Sequence, residues 1–238
     1  MFGWKEKRGR GTPRMAETSA ALDGLLITGQ AGFLKGTHVA SNLGWRAVET
    51  LSIGDRVLTF DHAMQPIVDI QRETLLLPEG DVVGTRRPVL VPDGALFNRR
   101  ELWLMPDQGM LIECDAAQDA VGDPFAVIPA RMLTGLRGIS LGYPGDQIEV
   151  TTIGFANDEV IYVEGGMLAH CPSPQPLYSE NDRPVPGIYD VLSGPAAQFL
   201  VNCIIDDDDA MAVASDPTEL PGGFHDGPVR PSRPVRPA

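Results

Sequence analysis

Short apolar runs, each ended by turn residues, constrain the fold of this 238-residue chain more than any other feature of its sequence. Between residues 57 and 163, few segments have the three-to-four-residue periodicity of a helix. The 26 glycines and 21 prolines of the chain supply the turns that many short strands require. The runs that we interpret as strands are 57–60, 67–70, 88–91, 101–105, 109–113, 125–129, 147–155 and 159–163. We therefore expect an all-β architecture.

The first two of these runs predict a β-hairpin. Residues 57–60 lead into turn residues 61–63, and residues 67–70 resume the apolar pattern after the turn. Two apolar runs separated by a short polar turn are typical of strands that pair with each other. We expect 67–70 to be the hairpin partner of 57–60.

One segment near the C-terminal end, 192–205, has helical periodicity instead. Ser193 is a candidate N-cap, and Pro195 fits the first turn of a helix. The apolar side chains then recur every three or four residues: Ala196, Phe199, Leu200, Cys203 and Ile204. The helix is expected to end before the acidic run 206–209, because acidic groups are unfavourable at a helix C-terminus. We predict an amphipathic helix that packs on the β domain.

Changes in composition predict four parts along the chain. Residues 1–22 are a basic, flexible arm, and residues 23–170 form the β domain. Residues 171–212 contain a proline-rich connector and the helix that packs on the domain. Residues 213–238 are expected to be a disordered tail, in which Pro-Val-Arg-Pro occurs twice.

The charge of the chain is strongly acidic and unevenly distributed. The net charge is −13 overall, whereas residues 15–222 carry 11 basic and 30 acidic side chains, a net of −19. A nucleic-acid-binding core needs a positive surface, so nucleic acid is not an expected partner of this body. The basic ends are open to two interpretations: they bind an acidic partner, or they are solvated termini.

The sequence predicts neither a disulfide framework nor a metal site. Its three cysteines lack paired spacing, as expected in a reducing compartment. No second pair accompanies His170–Cys171 at ligand spacing, so we interpret that pair as incidental, on the surface or in the connector. The acidic run 206–209 lacks the spaced ligands of a calcium loop. We expect no cofactor and no metal.

Without a secretory signal or membrane span, we expect a cytoplasmic location, with signal-less export or association with a particle as alternatives.

Three segments together are similar to a known family. They read GFLKGTHV at 32–39, LSIGDRVLT at 51–59 and FANDEVIYVEG at 155–165. This pattern resembles the Hint domain, the self-processing module that hedgehog proteins and inteins share. The resemblance covers about residues 32–170 and implies a flattened horseshoe of curved strands.

The resemblance also implies where the chemistry of such a domain would lie. In this family a cysteine or serine attacks the carbonyl of the preceding residue, and a histidine polarises that amide and carries protons. Here the nucleophile position is Gly32, the histidine position is Gln108 and a second histidine position is Asp158. All three catalytic side chains are replaced, so we expect no catalytic residues, only these vestigial positions.

Three functions remain open at this level. The first is a degenerate Hint domain without self-cleavage, which serves as a binding or structural module for an unidentified protein partner. The second is autocatalytic peptide-bond processing by a displaced nucleophile, such as Thr28, Thr37 or a cysteine. The third is a structural component of a larger, phage-like assembly, attached through the basic arm or the proline-rich tail. Asn202–Cys203 is similar to an intein junction, but a position inside the predicted helix is the favoured interpretation.

Overall fold

A computed structural model of the chain describes residues 31–77, 87–117, 122–173, 189 and 191–214. These residues form fourteen strands, one α-helix and several short 3-10 turns. The strands are β1 (Phe33–Leu34), β2 (His38–Ser41), β3 (Gly44–Ala47), β4 (Arg56–Thr59), β5 (Ala63–Pro66), β6 (Asp69–Leu76), β7 (Val89–Val91), β8 (Leu102–Leu104), β9 (Gly109–Glu113), β10 (Phe125–Pro129), β11 (Ser140–Leu141), β12 (Gln147–Gly154), β13 (Glu159–Val163) and β14 (Met167–Cys171). The helix α1 spans Gly194–Asp206. The prediction of an all-β domain with a helix near the C-terminal end is confirmed.

The strands form two antiparallel sheets whose order mixes distant parts of the chain. The first sheet has the order β11-β7-β8-β1-β12-β6. The second sheet has the order β10-β9-β14-β13-β2-β4-β5, with β3 paired to β2. The short strand β1 lies inside the first sheet, with Phe33 opposite Leu104 of β8 on one side and Thr151 of β12 on the other. β1 is therefore flanked on both sides by strands from later parts of the chain.

The main core joins both sheets to the helix. One continuous cluster of buried side chains includes Phe33 from the first sheet, Met110 and Val163 from the second, and Leu200 and Ile204 from α1. A second cluster covers the other face of the second sheet. Every residue of β13 and β14 is buried as a result. Burial on both faces explains why 160–163 is a continuous apolar run without alternation.

The predicted hairpin partner of β4 is wrong. β4 pairs with β5, from Arg56 opposite Pro66 to Thr59 opposite Ala63, so the turn begins and ends earlier than expected. Thr59 stabilises this tighter turn: its hydroxyl donates to the Ala63 carbonyl at 2.9 Å and accepts from the His62 amide at 3.2 Å. Of the predicted partner, residues 69–70 are the start of β6, which pairs with β12 in the first sheet, and residues 67–68 precede that strand.

The helix is present, but the predicted apolar face is partly wrong. The residues that α1 buries are Ala197, Leu200, Val201 and Ile204. Leu200 and Ile204 were expected there, whereas Ala196 is exposed and Phe199 is 59% exposed. Two overlapping apolar stripes exist in this sequence, and packing on the main core selects the one that contains Val201. Ser193 is the N-cap by position, but its side chain makes no capping hydrogen bond.

The helix ends at Asp206, one residue into the acidic run. Asp208 then pairs with Arg137 at 2.8 Å, and the Asp209 carboxylate accepts the amides of Met211 and Ala212 at the start of a 3-10 turn. These acidic side chains thus bind backbone amides and a guanidinium of the domain.

Parts of the predicted organisation lie outside the described residues. They are the basic arm 1–22, residues 174–188 of the connector and residues 215–238 of the tail. The four-part division of the chain therefore stays a prediction. The same holds for attachment to a larger assembly through the arm or the tail.

Candidate functional site

Gly32 and Gln108 are in direct contact. The Gly32 N–H donates to Oε1 of Gln108 at 2.9 Å, although the two residues are 76 positions apart. This nitrogen belongs to the peptide bond between Ala31 and Gly32, which the resemblance places where the scissile bond would lie. Gln108 therefore binds the amide that a histidine would polarise in a processing domain.

The topology explains how Gln108 reaches this amide. It lies in the turn between β8 of the first sheet and β9 of the second, so it stands where the chain crosses between the sheets. Gln108 is 3% exposed. Its backbone is tied at both atoms: its N–H donates to the Met105 carbonyl at 3.0 Å, and its carbonyl accepts from Ala130 at 2.8 Å. The side chain is consequently held in one place.

The amide of Gln108 is also fully engaged. Nε2 donates to the His170 carbonyl at 2.8 Å and to the Gly109 carbonyl at 3.1 Å, while Oε1 faces the Gly32 N–H. This arrangement of one donor and two acceptors determines which end of the amide is oxygen. A neutral imidazole also accepts at one nitrogen and donates at the other, but unlike histidine the Gln108 amide does not carry a proton near pH 7.

The position of Gly32 leaves no room for a side chain. Its φ of +122° is one that other residues rarely adopt. A Cβ atom there would lie 2.7 Å from Cγ1 of Val150, 3.1 Å from Oγ1 of Thr152 and 3.2 Å from the carbonyl oxygen of Thr151. All three residues belong to β12, which runs beside the start of β1. The position that the resemblance assigns to the nucleophile thus has no side chain, and β12 fills the space where one would lie.

Asp158 is linked to this pair through His170. It lies in the turn between β12 and β13, and its Oδ1 accepts the Ser173 amide at 2.8 Å, just after the end of β14. Its negative charge raises the pKa of His170, opposing the larger effect of burial. His170 in turn accepts the Gln108 side chain through its backbone carbonyl.

His170 and Cys171 are not an incidental surface or connector pair, so that interpretation is wrong. They are the last two residues of β14, 7% and 2% exposed respectively. The His170 ring packs edge-on against Tyr189, with centroids 5.5 Å apart, and burial lowers its pKa. The turn residues 164–166 that follow β13 were the available signal, since a hairpin there places 167–171 in a buried strand.

The hydroxyls and thiols considered as displaced nucleophiles differ in their surroundings. Thr37 is 2% exposed and its hydroxyl donates to the Leu34 carbonyl at 2.7 Å, within the turn after β1. Burial, assisted by the charge of Glu159, raises the pKa of the Cys171 thiol and keeps it protonated. Thr28 lies outside the described residues. Sequence reasoning missed Thr152, whose hydroxyl borders the place of a Cβ at Gly32.

The two glutamates at the ends of β13 each bind a histidine. Glu159 is 2% exposed, and its Oε2 atom lies 3.0 Å from Nδ1 of His62. Oε1 of Glu164 lies 3.3 Å from Nδ1 of His38. Burial raises the pKa of Glu159, and the hydrogen bond from His62 opposes that effect. These histidines therefore satisfy buried carboxylates.

Within the described residues, no group of three His, Cys, Asp or Glu side chains is placed to hold a metal ion. A membrane-spanning helix is also absent from that part of the chain, since α1 is too short to cross a bilayer.

Comparison with known proteins identifies the family of the chain. A family model described as "Hint domain" matches residues 31–169. Similar solved structures include a bacterial intein-like domain from Clostridium thermocellum, with 13% identity over 59% of this chain and 98% of that domain and a TM-score of 0.36. Another is the AceL NrdHF class 3 split intein in a splice-inactive variant, with 16% identity over 61% of this chain and 99% of that one and a TM-score of 0.36. No curated protein matches the sequence. Since the family model covers more than half of the chain, the protein belongs to the Hint domain family.

Proposed function

We propose that this protein is a Hint domain that does not cleave itself and that serves as a binding or structural module. The observation that carries the proposal is the hydrogen bond from the Gly32 N–H to the side chain of Gln108. Beside it, β12 fills the space where a side chain on Gly32 would lie. The altered residues still make an ordered contact, so the site has become part of the framework.

The chemistry of self-cleavage requires two things that this arrangement lacks. The acyl shift of this family needs a thiol or hydroxyl on residue 32 itself, and Gly32 has no side chain. The departing amine of residue 32 must also gain a proton, and a neutral amide such as Gln108 does not supply one near pH 7.

The same contacts support a structural role. Gln108 joins the residue before β1 to the carbonyl of His170 in β14, and these segments belong to different sheets. A buried, fully paired amide at this junction stabilises the fold and specifies how the sheets meet. A scaffold that keeps its stability after losing its chemistry remains available for binding.

Intact mass spectrometry of the purified full-length chain tests the proposal. We expect one species at the mass of the full chain, 25.6 kDa, after incubation with and without hydroxylamine, which cleaves esters and thioesters. A fragment that ends at Ala31 and forms in native but not in denatured protein would refute it.

One observation favours a second candidate, self-cleavage through a displaced nucleophile at Thr152. Its hydroxyl lies 3.1 Å from the place of a Cβ on Gly32. The oxygen of Thr152 would attack the Ala31 carbonyl carbon, the bond from that carbon to the Gly32 nitrogen would break, and the hydroxyl proton would pass to the new amine. Water would then hydrolyse the ester.

The T152V variant separates the two candidates, because valine has the same shape without the hydroxyl. If the wild-type chain forms the fragment and T152V does not, the second candidate is correct. If T152V forms the fragment at the wild-type rate, Thr152 is not the nucleophile.

A further inference from the structure

The His170 ring occupies an unusual environment in the second sheet. It is 7% exposed, and its Nε2 atom has no hydrogen-bond partner among the described residues. It packs edge-on against the Tyr189 ring, with the ring centroids 5.5 Å apart and an interplanar angle of 63°. This environment favours the neutral imidazole, because a buried charge without a hydrogen-bond partner destabilises the folded state.

Tyr189 connects this ring to the chain that leads into α1. The Tyr189 hydroxyl is hydrogen-bonded to Asp61, in the turn between β4 and β5. Two residues beyond the buried Tyr189 side chain, Val191 bridges Val127 of β10. The Leu192 amide then donates to the Val127 carbonyl at 2.7 Å. The contact between His170 and Tyr189 is thus close in sequence to the hydrogen bond between residues 192 and 127, which lies just before α1 begins.

We propose that His170 is an acid-sensitive latch: its neutral, buried ring holds Tyr189 and residues 191–192 against the second sheet, and protonation of the ring releases them. The released ring reaches water, where both of its N–H groups are hydrated. This inference does not depend on whether the domain cleaves itself.

Burial of the His170 ring, opposed by the charge of Asp158, determines the direction of the response. Asp158 acts on His170 directly and favours the protonated ring, but burial is the larger effect, so the pKa of His170 is lowered in the closed state. On β13, Glu159 lies opposite Cys171 and binds His62, and Asp61 binds the Tyr189 hydroxyl. Because the open state accepts the proton more readily than the closed state, opening becomes more favourable as pH falls below the ordinary value of 6.5.

Hydrogen exchange of the full-length chain between pH 7.5 and 4.5, corrected for the intrinsic rate, measures this opening. We expect the opening constant of residues 191–192 to rise by up to tenfold for each unit that pH falls below about 6.5, since one proton is taken up. The rise should stop once the closed state is itself protonated. Amides of β12 should show no such rise.

Two variants test the assignment to His170. H170Q keeps a polar side chain of similar size that does not titrate, so its opening constant should be independent of pH in this range. H38Q is the matched control, because it removes a histidine of β2 that contacts Glu164, just after the end of β13, and it should keep the wild-type response. An H170Q response equal to that of wild type would overturn the proposal, as would a parallel rise throughout the chain.

D158N supplies an independent test if H170Q does not fold. An asparagine oxygen can still accept the Ser173 amide, but the charge that favours protonated His170 is gone. The closed state then resists protonation to a lower pH, so acid-induced opening should continue to a lower pH and reach a larger maximum. An unchanged or smaller response in D158N would contradict the latch.

Discussion

Adding a single methyl group at Gly32 is expected to destabilise the domain severely. In G32A the backbone must keep a φ of +122° with a side chain present, which costs about 1–3 kcal/mol. The new Cβ also lies 2.7 Å from Val150 and 3.2 Å from a backbone oxygen, and such overpacking costs about 1–3 kcal/mol. Replacing glycine restricts the unfolded chain and returns about 0.4–1 kcal/mol. We expect a net loss of about 3 kcal/mol, taking the middle of these ranges.

Urea denaturation of G32A and G36A separates the two contributions. Gly36 also has a positive φ, +90°, but a Cβ there would meet no atom within 4 Å. G36A therefore measures the backbone strain without the contact and should cost about 1 kcal/mol. The difference between the variants estimates the steric cost at Gly32.

A double-mutant cycle with V150A tests the origin of that difference. Removing the Val150 methyl groups takes away the nearest contact, so V150A should cost less in the G32A background than in wild type. Equal unfolding free energies for G32A and G36A, or additive effects of G32A and V150A, would refute the conclusion that β12 fills the nucleophile position. The same reasoning predicts that G32C is at least as unstable as G32A and does not restore cleavage.

Three further outcomes follow from the packing and the burial of ionisable groups. L200A should lower the free energy of unfolding by about 3 kcal/mol, and F199A should change it by less than about 0.5 kcal/mol; urea denaturation that finds equal losses would contradict the assignment of the buried helix face. Burial raises the pKa of Glu159, so just above the ordinary value of 4.5 the folded state still holds a proton that the unfolded state has lost. The contribution of Glu159 to the free energy of unfolding therefore falls as pH rises above 4.5. E159Q should remove that contribution, which thermal melts from pH 4 to 8 would detect as a smaller decline toward neutral pH than in wild type. Iodoacetamide should modify Cys114 in native protein well before Cys171, because burial raises the pKa of the Cys171 thiol; equal rates by peptide mass mapping would show that this thiol is accessible.

The sequence predicted strands well wherever a short apolar run matched a strand buried on both faces. The run at 159–163 is β13 itself, and the run at 125–129 is β10. It predicted pairing less well, because the partner of a strand depends on turn geometry and on sheet order. The strand that pairs with β4 begins at Ala63, four residues before the expected partner, and residues 69–70 of that expected partner belong to β6 in the first sheet.

The helix and the last strand show a second limit. Periodicity in 192–205 indicated a helix, yet two apolar stripes fitted the sequence, and only contact with the main core decided that Val201 is buried and Phe199 is exposed. The pair His170–Cys171 by itself gave no sign of a strand, because two residues are too few to show a strand pattern. Their burial follows from the pairing of β14 with β13 and β9.

The all-β class, the likeness to a Hint domain and the lack of a nucleophilic side chain at Gly32 could all be read from the amino-acid sequence. These properties depend on residue identity and on patterns within a few neighbouring positions. Three further features required the folded structure. Gln108 binds the Gly32 amide, β12 fills the space where a side chain on Gly32 would lie, and His170 is buried against Tyr189. The first of these contacts joins residues 76 positions apart, and such contacts arise only when strands from distant parts of the chain assemble into sheets.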